Sequence, residues 1–183
     1  MNYEKELHDL FLMQQTYATM FSLTNKLQIA GDSCLKGMTV RQYMTVVAIL
    51  HLAEDETTIN NIAHKLGTSK QNANRMVSSI ERLGYISSFQ SEKDKRATNI
   101  HLTETGKRKM VECSEQIINF MADVFHAFNT SELETLWNLL KKLHCFDGEK
   151  QDGFEESGLE FTNISEDMEK ALLEEFSRKR NSK

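Results

Sequence analysis

Apolar residues recur at three- and four-residue intervals along most of this chain, and the places where that rhythm stops mark its elements. Over residues 4–30, Leu7, Leu10, Phe11, Tyr17, Ala18, Phe21 and Leu27 fall largely on one side of a helix, which Gly31-Asp32 and Gly37 are expected to break. Thr39 is placed to N-cap a second helix running to about Leu52, with Tyr43, Val46, Val47 and Leu50 as its stripe. Thr57 or Thr58 can cap a short third helix, on which Ile59, Ile62, Ala63 and Leu66 recur and which Gly67 ends. The next helix begins at once, because Thr68-Ser69-Lys70-Gln71 fits a capping box.

Two short helices across so tight a turn predict a helix-turn-helix. On a wheel of the second, Ala73, Met76, Val77, Ile80 and Leu83 share one arc, and Gln71, Arg75, Ser78 and Arg82 lie opposite, with Asn74 on the flank and Glu81 to the side. The period then changes from helical to two. Tyr85–Gln90 alternates as a strand, Ser91–Arg96 forms a charged turn, and 97–102 returns. Thr103 caps a long helix to about residue 128, and 131–146 carries Leu133, Leu136, Trp137, Leu140 and Leu143 on a further one. Helix, helix, hairpin is a winged helix-turn-helix, and the expected fold is mainly α with a small β-hairpin wing.

Composition sharpens this picture in three ways. Among 183 residues there is no proline, which leaves long stretches free to be helical. The cysteines, Cys34, Cys113 and Cys145, are widely spaced without a C-x-x-C, which points to a reducing compartment. No apolar run approaches the roughly 18 residues that span a bilayer, and "MNYEKELHDL" lacks the core of a signal peptide. A cytoplasmic protein without membrane contact is expected.

The net charge of −5 hides a strong asymmetry. Residues 64–109 hold 10 Lys/Arg against 4 Asp/Glu, whereas the flanks on both sides are acidic. The basic island contains the second helix of the pair and the hairpin tip, the two elements that would meet nucleic acid. Ser69, Lys70, Gln71, Asn74, Arg75 and Ser78 form the expected reading face, since amides pair with adenine edges and guanidinium with guanine or phosphate. Lys93, Lys95 and Arg96 at the tip can reach phosphates or the minor groove.

Enzymatic signatures are missing: there is no G-x-S-x-G, Walker A loop or G-x-G-x-x-G, and the glycines fall at element ends. The six histidines are scattered, and adjacent His144 and Cys145 cannot both face one metal from a regular helix. Neither catalysis, nor a metal, nor a cofactor is expected.

Three spaced motifs give the sequence a family likeness. Ile80-Glu81-Arg82-Leu83-Gly84, Asp94-Lys95-Arg96 and Leu102-Thr103-Glu104-Thr105-Gly106 resemble the L-E-x-x-G, D-x-R and L-T-x-x-G pattern of the MarR family of bacterial transcriptional regulators, over about residues 4–146. The resemblance implies a homodimer of triangular outline that binds a palindromic operator on double-stranded DNA, most simply as a repressor. It assigns Arg96 to the minor groove and Asp94 to holding the wing. It also implies a small aromatic or anionic effector between the dimer helices and the DNA-binding domain, where Tyr17, Met20, Met38, Tyr43 and Met44 could line a pocket. Some members sense oxidants through a cysteine, and Cys34, read as lying in a loop at 31–37, is the thiol expected to be exposed.

Two departures stand out: Ser87-Ser88 occupies the first wing strand where members often carry a basic residue, and the chain continues past the usual last helix. The expected division is a dimerisation helix at 1–38, the winged domain at 39–102, dimerisation helices at 103–146, and an acidic linker with a short helix at 147–183. In that helix Ser165 is the expected cap and Met168, Ala171, Leu172 and Phe176 the stripe, docked on the dimerisation helices. A protein-interaction module that no longer binds DNA is the alternative the fold allows.

Overall fold

The computed structural model describes residues 3–90, 98–149, 154 and 166–181, with only the backbone of 166–169. Its elements are α1 (Glu4–Cys34), α2 (Val40–Leu50), a single 3-10 turn (Glu54–Glu56), α3 (Ile59–Lys65), α4 (Lys70–Arg82), β1 (Ile86–Gln90), β2 (Thr98–Leu102), α5 (Glu104–Val124), α6 (Thr130–His144) and α7 (Glu166–Asn181). The fold is the mainly helical winged helix-turn-helix that the pattern predicts.

The first helix corrects one expectation. Gly31-Asp32 does not break α1, which runs on to Cys34 and so places that thiol at an exposed helix end rather than in a loop. Tertiary contacts explain both residues. Gly31 is buried where Val40 and Phe120 press against the helix, and a Cβ there would collide with Val40. Asp32 Oδ1 accepts from the Val40 N–H at 2.6 Å, so a carboxylate of α1 caps the positive end of α2. Thr39 adds its expected capping box with Gln42.

The core lies inside the winged domain. Val46, Ile62, Ala73, Ile80, Ile86 and Ile100 close it from α2, α3, α4 and the two strands. Leu50 and Leu83, expected in the stripes, are 41% and 45% exposed, because each sits at its helix end, where the chain turns away. β1 and β2 pair antiparallel with Ile86 opposite Leu102 and Gln90 opposite Thr98. The Ile100 N–H also donates to the Thr57 carbonyl at 3.2 Å, and Thr58 makes an isolated antiparallel bridge to Asn99, which ties the loop before α3 to β2.

α3 and α4 end alike. Gly67 and Gly84 adopt φ of 59° and 75°, and the residues after them donate back to Ala63 and Ile80. These are Schellman closures, which need the left-handed backbone that glycine adopts without strain.

α5 stops at Val124, four residues before its apolar spacing does. Phe125 and Phe128 turn to pack on each other, with ring centroids 6.0 Å apart, and Asn129 starts α6 with a capping box to Glu132. α7 packs against α5 of the same chain: Lys179 Nζ lies 2.8 Å from Asp123 Oδ2, and Arg180 donates to the Phe128 carbonyl at 2.8 Å. Leu172 and Phe176 are half-buried there, whereas Ala171 is exposed. The Ser165 cap and the Met168 side chain lie outside the described residues.

Candidate nucleic-acid interface

α4 is presented by its two ends. Its N-cap is Ser69, whose hydroxyl accepts from the Asn72 N–H at 3.2 Å, and not Thr68 as the capping-box pattern suggests. Thr68 is already engaged, because its N–H closes the preceding turn onto Ala63. The one-residue shift matters chemically. Gln71 is no longer the residue that folds back on the cap, and it stands exposed on the second helical position.

Ser69, Lys70, Gln71, Asn74, Arg75 and Ser78 are all exposed, and Ala73, Val77 and Ile80 on the reverse are buried. Gln71, Asn74, Arg75 and Ser78 follow i, i+3, i+4, i+7, so they make one continuous face of amides, guanidinium and hydroxyl. No carboxylate interrupts it. The nearest acid on the helix, Glu81, is drawn towards the wing, where its Oε1 accepts from Ser88 Oγ at 2.7 Å. Ser88, which departs from the basic residue of the motif, therefore ties α4 to β1.

On the wing, Phe89 and His101 pair across the strands at 4.6 Å between centroids, and His101 Nδ1 lies 3.3 Å from Glu54. The tip residues Lys93, Asp94, Lys95 and Arg96 lie outside the described residues.

Behind α4 there is an open cavity of about 780 Å³. It is bounded by Leu27 and Gln28 of α1, Arg41 and Met44 of α2, Arg75 and Met76 of α4, and Phe120 and Phe125 near the end of α5. Among the described residues, its lining contains two guanidiniums and no carboxylate. Of the five residues suggested for an effector site, Met44 alone lines it. Tyr17 is 72% exposed on α1, Met20 is half-buried there, and Met38 and Tyr43 are packed into the core. Burial pushes the Tyr43 hydroxyl up to about 12. Cys113 is buried beside it, and burial raises its thiol as well, which keeps it protonated and unreactive. The residues that line the cavity come from four helices, the turn before α4 and Phe154, so no single periodic stretch of sequence displays them.

Much apolar surface is left open elsewhere. α1 exposes Leu7, Leu10, Phe11, Met13, Tyr17 and Phe21, and the stretch from α6 to Phe146 exposes Leu139, Leu140, Leu143 and Phe146. Two helices with such faces are built to meet a second chain.

The same architecture recurs in known proteins. Residues 36–97 match the model of the MarR family. The transcriptional repressor MprA of Escherichia coli K12 is 25% identical over 151 residues, covering 80% of this chain and 86% of its own. The winged domain is therefore similar to that of the MarR family.

Among solved structures, a MarR/EmrR regulator from Acinetobacter sp. ADP1 is 26% identical with a TM-score of 0.64, covering 73% of this chain and 94% of that one. The S. aureus MepR–DNA complex shares the fold at 21% identity and a TM-score of 0.62, covering 69% and 95%. Each of these solved structures is matched over nearly its whole length, so this chain carries additional sequence of its own. Among the described residues, no helix is long and apolar enough to cross a membrane, and no cluster of ligating side chains is placed to hold a metal ion.

Proposed function

We propose that the protein is a DNA-binding transcriptional regulator, a homodimer that recognises a palindromic operator and represses from it. The acid-free face of α4 carries this reading. Its side chains are those that read base edges, and its rigid ends hold them in register with the wing. Residues 39–102 form the reading unit in this proposal, and 1–38 and 103–146 join two copies. The wing tip adds Lys93, Lys95 and Arg96 as phosphate and minor-groove contacts, with Asp94 holding the tip.

The cavity supplies the control. Arg75 belongs both to the reading face and to the cavity wall, so an apolar anion bound among Arg41, Arg75 and Met44 acts directly on the helix that reads DNA. Such an effector needs to be only of modest size, with a planar or aliphatic body and one negative group.

Anisotropy titration of duplex DNA at about 50 and 200 mM salt tests the reading. Affinity is expected to fall by two or more orders of magnitude between the two salts, as counterion release requires. A protein that binds no duplex even at the lower salt is the interaction module instead.

A further inference from the structure

Two described residues beyond α6 return to the winged domain. Glu149 Oε2 lies 3.1 Å from His64 Nε2 on α3. Phe154 packs half-buried against the core cluster, its ring edge-on to His51 at 5.2 Å between centroids and an interplanar angle of 81°. The ammonium of Lys65 stands 5.5 Å from the centre of the same ring, and Lys65 is only 9% exposed, a depth at which lysines are seldom found. A cation that has lost most of its water gains from the electron-rich face of an aromatic ring. The seat is therefore built for an aromatic group, with an imidazole on one side and an ammonium on another.

Phe154 is also part of the cavity wall, which it shares with Leu66, Gly67 and Thr68 of the turn that leads into α4. We propose that the seat of Phe154 between His51 and Lys65 is an aromatic subsite at the edge of the effector cavity, filled in cis by this phenyl ring, which an aromatic anion entering that edge displaces. This rests on the reading of the cavity as the effector site. The ligand's ring takes the place of the phenyl ring, and its negative group faces Arg41 and Arg75 on the cavity wall. No covalent step is involved. The extension thus sets the threshold for release: the more firmly Phe154 and Glu149 hold to the winged domain, the more effector is needed to act on the turn preceding α4.

The full-length protein with Phe154→Ala, and separately Lys65→Met, allows the test, with 1-anilinonaphthalene-8-sulfonate as the aromatic anion. Phe154→Ala should bind the probe at least about five-fold more tightly than the unaltered chain. A peptide spanning residues 147–158 should displace the probe from that variant, and the same peptide carrying Phe154→Ala should not. Hydrogen exchange over residues 62–68 should quicken in both variants, since each loosens the cover over that turn. Equal probe affinity together with unchanged exchange would overturn the proposal. If exchange quickens but neither protein binds the probe, the seat for Phe154 stands and the assignment of the cavity to an effector is what fails.

Discussion

Gly106 lies directly against the backbone carbonyl of Tyr85, close enough that a Cβ on residue 106 would occupy the carbonyl's place. That contact gives the L-T-x-x-G motif its physical meaning. Thr103 Oγ1 donates to the Gly84 carbonyl at 2.6 Å and accepts from the Gly106 N–H at 3.0 Å, and the Thr103 N–H donates to the Tyr85 carbonyl at 3.0 Å. The end of α4, the wing and the start of α5 are thereby pinned at one point. Gly106→Ala should lower stability by about 1–3 kcal/mol or more, as overpacking against backbone does. Thr103→Val, which keeps the shape and loses both hydroxyl bonds, should cost about 1–2 kcal/mol. Urea unfolding of the two variants checks both, and wild-type midpoints would show that the joint carries no stability.

On α4, Arg75→Ala should weaken DNA binding by about 1–3 kcal/mol, and Arg96→Ala on the wing by a similar amount. Asn74→Ala and Gln71→Ala should instead relax base preference with less change in non-specific affinity, since amides carry no charge. With the cap assigned to Ser69, Gln71 is expected to behave like Asn74. Binding motifs measured for each variant separate the two kinds of effect; a motif unchanged by either amide substitution places the reading face elsewhere.

Much of this architecture is legible in local sequence, and the exceptions share one cause. Thr39, Thr58 and Thr103 announce their helices because a cap and its first turn are contiguous in the chain. Gly67 and Gly84 announce the ends for the same reason. Gly31-Asp32 misleads, because what fixes it, Val40 and Phe120, lies outside its own helix. Thr68 loses the cap to Ser69 because the preceding turn has already claimed it. The cavity lining and the seat of Phe154 are assembled from distant elements, and a lone aromatic in an acid-rich stretch has no period by which to be noticed.

Dimerisation should depend on the open apolar faces. Phe11→Asp together with Leu140→Asp places charges in surfaces that need to be dry, and each buried charge without a partner costs several kcal/mol. Sedimentation should show the doubly substituted protein as a monomer with its winged domain still folded. A dimer of undiminished strength would locate the interface away from α1 and α6.

The buried phenol gives a pH signature. Tyr43 titrates near 12 in the folded chain against 10 for a free tyrosine, with burial the main cause and the neighbouring Cys113 the lesser. Its folded value is raised, so its contribution is intact below pH 10 and is lost as pH rises towards 12, where the unfolded chain ionises first. The loss should reach about 2–3 kcal/mol. Tyr43→Phe should flatten the stability profile between about pH 10 and about pH 12, as urea midpoints would record. A profile equally steep in the variant would assign the loss to other groups.

In the proposed mode of binding, two copies of the α4 face read one palindrome. Selection of bound sequences from random duplex DNA by the purified full-length protein tests it most directly. An enriched inverted repeat is expected, with half-sites centred about one helical turn apart, about 34–36 Å along the duplex, and its enrichment should disappear in Asn74→Ala, Arg75→Ala protein. Recovery of no common sequence, or of one without two-fold symmetry, would contradict it.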